Sequence, residues 1–269
     1  MLVDQEGGRV ARLRPPHWRA HPCAGAIGVL HAADPKAGLR AAWLTGALIG
    51  LDCAHFDVIC APVLDLLVLG AHAGVVGDRA FGADPQAVAV LGAAFADGIL
   101  AAGRQPVMKH APGHGRALAD SHESLPVVEG PIDDDLIPFR SNARLPWAMT
   151  AHILYRAIDR DRPGTISPAV VGSVIRGRIG FDGVLVSDDL AMHALSGPPA
   201  LRVTAALAAG CDIAAYCAGD EETQAVLEAA PKVTDAARRR LAAGADLVAA
   251  KAQTLDAETL AEERDLLLA

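Results

Sequence analysis

Short apolar runs that end abruptly in charged or histidine residues recur along this chain. Met1 to Val3 runs into Asp4, Asp57 to Leu64 into Asp65, and Pro106 to Met108 into Lys109 and His110. Trp147 to Ala151 ends at His152, Val184 to Ser187 ends at Asp188 and Asp189, and Asp212 to Cys217 is a last apolar-centred stretch. Each is short and rich in valine, leucine or isoleucine, which predicts buried strands. Between them lie segments with helix starts and stops. Asp34 and Pro35 open a helix to about Gly50, and Asp84 and Pro85 open another to about Ala102, closed by Gly103. Ser167 and Pro168 cap a helix ending before Gly180, and Pro199 to Ala209 is a helix closed by Gly210. From Lys232 onward the pattern is that of amphipathic helix. Residues 11 to 33, with their prolines, histidines and glycines, read as a loop crossing the surface.

Apolar strands alternating with helices predict an α/β fold with a parallel sheet covered by helices. The polar residues stand where each strand ends. A TIM-type (β/α)8 barrel gathers those ends around one mouth, whereas an open doubly wound sheet gathers them along a crevice, usually with a glycine-rich phosphate turn. No G-x-G-x-x-G follows a strand here, so the barrel is the expectation. Only about six strands are visible where a closed barrel has eight.

With 269 residues and 52% hydrophobic positions the chain can bury a large core, either as one barrel or as two ordinary domains. Its net charge of −8 argues against nucleic acid as a partner, and aromatics at 4% leave few stacking platforms. The basic run Arg238 to Arg240 reads as the wet face of a helix. Five cysteines without metal-type spacing suit a reducing cytosol. No signal peptide is visible, and the longest apolar run, Ala205 to Ala218, is broken by Gly210 and Asp212, so neither secretion nor membrane insertion is expected.

The chemistry concentrates between Lys109 and His122, where three of the ten histidines fall within fourteen residues. Pro112, Gly113 and Gly115 exclude a regular helix, making this a loop at a strand's end. Asp120 and His122, two apart, share a side in extended chain. A carboxylate beside an imidazole fixes its tautomer and favours its protonated form, which suits a proton donor that later accepts a proton. Taken alone, the pair reads first as a loop hydrogen bond with no chemistry. His110, His114 and His122 could also converge on zinc, but Lys109 beside them would repel a cation, and no metal is expected.

Asp188 is the second half of the argument. Alternation along its strand lets only one of Asp188 and Asp189 face the mouth, and Asp189 suits a helix cap. A fixed carboxylate facing a loop-borne proton donor is what a retaining glycosidase needs.

Seven segments, in order, carry a family resemblance: VDQEGGRV from Val3, APVLD from Ala61, GDRAFG from Gly77, KHAPGHG from Lys109, DSH from Asp120, MTAH from Met149 and GFDGVLVSDDLAM from Gly180. Together the chain resembles glycoside hydrolase family 3, in its bacterial β-N-acetylhexosaminidase branch. The resemblance implies a barrel enzyme that removes β-linked N-acetylglucosamine with retention, without a cofactor. It implies Asp188 as nucleophile, His122 as acid/base and Asp120 as its partner. It places Asp4, Arg12, Arg79, Lys109 and His110 on the sugar, with His152 beside them. Gln5 and Arg9 are expected to support the opening loop, Asp65 to pair with an arginine such as Arg79, and His114 to pin its loop. The other histidines, His21 among them, are expected in loops or on the surface.

Family members carry a β/α unit ahead of VDQEGG, so residues 1–269 are expected to form one barrel domain lacking that unit. The implied substrate is an N-acetylglucosamine-containing muropeptide from cell-wall recycling, met in the cytoplasm by a monomer or homodimer. A phosphorylase on the same scaffold, an inactive sugar-binding remnant and a zinc hydrolase are the alternatives, in that order.

Overall fold

The computed structural model describes residues 1–68, 75–117, 121 and 124–269. In chain order the strands and helices are β1 (Leu2–Val3), β2 (Gln5–Gly7), β3 (Val10–Ala11), α1 (Ala24–Ala33), α2 (Pro35–Asp52), β4 (Val58–Ile59), α3 (Pro85–Ala101) and β5 (Gln105–Ala111). There follow β6 (Val127–Val128), α4 (Leu136–Ser141), β7 (Trp147–Thr150), β8 (Leu154–Tyr155), a π-type helix over Val170–Arg178, β9 (Val184–Val186) and α5 (Pro199–Ala209). α6 (Asp220–Ala229), α7 (Asp235–Lys251) and α8 (Ala257–Leu268) close the chain.

The main sheet has the order β1-β4-β5-β7-β9, and every pairing in it is parallel. An isolated parallel bridge from Val186 to Ile213 extends it by a sixth segment. This is the TIM-type (β/α) architecture expected from the alternating pattern. Alternation within strands divides the core in two. Val58, Val107, Trp147, Met149, Val184 and Val186 pack together on one face, while Ile59, Met108, Ala148 and Leu185 join the larger cluster under the helices.

Asp34 caps α2 by accepting from the amides of Lys36 and Ala37, and Asp84 caps α3 by accepting from Gln86, each followed by proline as the first helical residue. α2 and α3 approach unusually closely. A Cβ on Gly98 would lie 2.1 Å from the Trp43 carbonyl oxygen, and one on Gly46 would lie 2.0 Å from that of Phe95. Only glycine allows these backbones to meet.

Two expectations need correction. Residues 24–33, read as loop, form α1, which packs on α2 and buries Ile27. His21, read as a loop or surface residue, is buried. Its Nε2 lies 3.0 Å from Asp52 Oδ2 and its Nδ1 lies 3.1 Å from Nη1 of Arg264 on α8. Burial holds this imidazole below its ordinary value, against the pull of Asp52. α8 thereby docks the end of the chain onto α2, with Leu260 beside Leu44, Ala47 and Leu48.

Candidate active site

A cavity of about 330 Å³ opens where the strands end. Its wall includes Leu2 of β1 and Asp4 just after it at one sheet edge, and Ala215 and Cys217 at the other, so the sheet curls enough to bring both edges to one mouth. Asp188, Lys109, His110, Arg79 and Arg12 share that wall. Lys109 and His110 are consecutive, and regular alternation would send them to opposite faces. The register of β5 against β7 shifts between Met108 and Ala111, and both side chains reach the cavity.

Charged hydrogen bonds fix these groups. Lys109, only 2% exposed, places its Nζ 2.9 Å from Asp4 Oδ1 and 2.6 Å from Glu6 Oε1. Arg79 grips Glu6 with Nε and Nη2, both at 2.8 Å, and donates through Nη1 to the Val75 carbonyl at 2.9 Å. Lys109 holds the Asp4 carboxyl down at about 2 despite partial burial. Arg12 reaches the other Asp4 oxygen at 3.2 Å from the exposed rim.

Asp65 pairs with His110, not with the arginine expected for it. Its Oδ2 accepts from His110 Nδ1 at 2.7 Å, and its oxygens also accept from the backbone amides of His110 (3.2 Å) and His114 (2.6 Å). With Nδ1 engaged, Nε2 is the His110 nitrogen left for a ligand. Burial opposes ionisation of Asp65, but His110, His114 and these bonds outweigh it and set the carboxyl at about 2. His114 pins its loop as expected, through its amide on Asp65 and through Nε2, 3.3 Å from Ser121 Oγ. It also lines the cavity, which the sequence did not suggest.

Asp188 sits half-buried beyond β9 with Oδ1 accepting from the Asp189 amide at 2.9 Å. Burial pushes its carboxyl up. The fields of His110, His152 and Lys109 outweigh that effect and leave it below the ordinary value, ionised at neutral pH. Its neighbour Asp189 does not cap a following helix. It accepts from the amides of Ala191 (3.0 Å) and Cys217 (2.9 Å), tying two loops together. Cys60, the buried thiol on the wall, is pushed up to about 12, mainly by burial, and stays protonated.

His152 is not on the wall. It is fully buried behind Asp188, with Nδ1 2.7 Å from Thr165 Oγ1 and Nε2 2.9 Å from the Asp189 carbonyl. Thr165 in turn lies 2.7 Å from the hydroxyl of Thr150, which accepts from the Asp188 amide at 3.3 Å. His152 therefore supports the Asp188 loop from within and has no nitrogen left for a sugar, contrary to the place beside the ligand expected for it. Asp120 and His122 lie outside the described residues; Ser121, between them in sequence, is buried and lines the cavity. Among the described residues no group of three histidine, cysteine or acidic side chains converges to hold a metal ion.

Glu6 and Thr165 were not singled out from the sequence. Glu6 stands inside the matched opening segment, which was the available signal; Thr165 carried none.

The pattern of the glycosyl hydrolase family 3 N terminal domain matches residues 1–248. The chain belongs to this family. It is a glycoside hydrolase by descent, and its cavity lies where such barrels keep their sites. A β-hexosaminidase of Methylococcus capsulatus is 41% identical over 253 residues, covering 90% of this chain and 74% of the relative. The crystal structure of NagZ from Neisseria gonorrhoeae in complex with N-trifluoroacetyl-D-glucosamine superposes with a TM-score of 0.84 at 30% identity, over 100% of this chain and 81% of that one. A family 3 β-N-acetylglucosaminidase from Paenibacillus sp. superposes with a TM-score of 0.83 at 29% identity, over 99% and 55%. Among the described residues no helix is long and apolar enough to cross a membrane.

Proposed function

We propose that this chain is a retaining exo-β-N-acetylglucosaminidase, with Asp188 as nucleophile. The observation that carries the reading is Asp188 itself. It is a carboxylate at the wall of the cavity, and its surroundings hold it below its ordinary value against the effect of burial. The names of its relatives, a β-hexosaminidase and a β-N-acetylglucosaminidase, supply the sugar.

In the first step a carboxylate oxygen of Asp188 attacks the anomeric carbon while the bond to the leaving oxygen breaks. His122, oriented by Asp120, gives its proton to that oxygen. The sugar is then held as an ester on Asp188. In the second step the neutral His122 takes a proton from water, whose oxygen attacks the same carbon and releases the carboxylate. Two inversions give net retention. Lys109 and Arg79 donate to sugar oxygens, His110 offers Nε2, and Asp4 with Arg12 holds the rim, all within one cavity. The substrate is a terminal β-linked N-acetylglucosamine on a muropeptide, met in the cytoplasm during cell-wall recycling, and residues 1–269 act as one domain.

Proton NMR of the first-formed sugar tests the reading. The β-anomer should appear before mutarotation, with or without phosphate. An α-anomer at the outset would overturn retention, and sugar 1-phosphate formed only with phosphate would make the enzyme a phosphorylase. His122→Ala should keep activity on aryl glycosides with good leaving groups and lose it on poor ones. Equal loss on both would remove His122 as the proton donor.

A further inference from the structure

Glu6 has no part in the chemistry above, yet it joins two of the cavity's cations, Lys109 and Arg79. Glu6 itself is 7% exposed. Oε1 lies 2.6 Å from Lys109 Nζ as an ion pair and accepts from Arg79 Nη2 at 2.8 Å, and Oε2 accepts from Arg79 Nε at 2.8 Å. Its three partnerships span three separate pieces of chain: β2, the short turn over Gly77–Arg79, and the end of β5. We propose that Glu6 is a positioning residue for sugar binding, clamping Lys109 and Arg79 at the spacing at which their remaining N–H groups meet a ligand in the cavity. This role rests on the glycosidase reading.

Proton counting supports it. An ammonium has three N–H groups; Asp4 accepts from one of those on Lys109, and Glu6 pairs with the same charge. A guanidinium has five, of which Glu6 takes two and the Val75 carbonyl one. Both side chains line the cavity, and among the described residues each keeps N–H groups without a protein partner. Glu6, by contrast, lines the same cavity but spends most of its acceptor capacity on these two cations, as a holder of Lys109 and Arg79 more than as a ligand contact. Asp4 does not share this part. Its side chain is 36% exposed at the mouth, so it is free to exchange Lys109 for a sugar hydroxyl while Glu6 keeps hold. Stability alone does not demand the arrangement, since buried ion clusters are often replaceable by apolar groups without loss.

The test measures kcat and KM for an aryl β-N-acetylglucosaminide, and the inhibition constant of N-acetylglucosamine, in wild type, Glu6→Gln and Glu6→Asp. Urea midpoints are recorded beside them. Glu6→Gln keeps the shape and loses the charge, turning an amide donor toward two cations. KM and the inhibition constant should both rise by about tenfold or more, as expected when charge-assisted hydrogen bonds lose their register. The kcat should change by less than about threefold, because uniform binding is lost and not the nucleophile. Glu6→Asp, charged but one methylene shorter, should fall between the two. Unchanged KM and inhibition constant would overturn the role. So would a fall in kcat alone in step with lost folded protein, or failure of both variants to fold, which would make the carboxylate a folding requirement. A wild type that neither turns over nor binds N-acetylglucosamine would instead overturn the glycosidase reading, and this role with it.

Discussion

Replacing Asp65 by asparagine removes a negative charge from the point where two histidine-bearing segments are tied together. In the native chain this fully buried carboxylate accepts from the His110 ring at 2.7 Å and from two backbone amides. Its carboxyl is held at about 2 against an ordinary 3.8, a difference that contributes about 2 kcal/mol to stability at neutral pH. The amide NH2 of asparagine would also face donors, leaving at least one buried donor unsatisfied at about 1–3 kcal/mol. Together these predict a loss of about 3–5 kcal/mol at pH 7, the scale of a broken buried pair.

Because the folded value lies below the unfolded one, the unfolded chain takes up the proton first. The stabilisation is therefore complete above about pH 4 and lost as pH falls toward about 2. By pH 3 roughly half of the charge-dependent part should be gone. Urea unfolding followed by tryptophan fluorescence, for wild type and Asp65→Asn at pH 7 and at pH 3, measures both quantities. The gap between the two proteins should narrow at the lower pH. A gap below about 1 kcal/mol at pH 7, or one that does not narrow, would refute the assignment of Asp65 as an ionised organiser of the site.

Two further substitutions probe other parts of the structure. Gly98→Ala puts a Cβ 2.1 Å from the Trp43 carbonyl; forcing α2 and α3 apart should cost about 1–3 kcal/mol or more in urea unfolding, and a neutral result would deny the close helix contact. Thr165→Val strips the hydroxyl that joins His152 to Thr150. It should destabilise by about 1–3 kcal/mol and lower kcat through the Asp188 loop, whereas unchanged kcat would show that the loop holds its place without this network.

The strand-end residues Asp4, Lys109 and Asp188 were legible because a parallel α/β pattern dictates where strands end and which end carries chemistry. That logic is local, and it failed where contacts are distant. α1 was hidden by its own glycines. Glycines in this stretch favour a loop reading, yet a Cβ on Gly28 would lie 1.6 Å from the Phe81 carbonyl, so packing and not flexibility requires it. His21 gave no sign of burial because Arg264, its partner, lies 243 residues away. A strand-end carboxylate such as Asp65 suggests an ion pair with a nearby arginine, whereas the shifted register at the end of β5 brings His110 to it. His152 was placed with the ligand because it ends a strand, and only the position of Thr165 reveals that it turns inward. Glu6 shows the same limit, since nothing in its own segment announces two cations from elsewhere in the chain.

The measurement closest to the central claim is turnover of an aryl β-N-acetylglucosaminide by the 269-residue chain beside its Asp188→Ala variant, both verified as folded. The account predicts release of the aryl group by the wild type and none above background by the variant. Equal turnover by both, or none by a folded wild type, would contradict it.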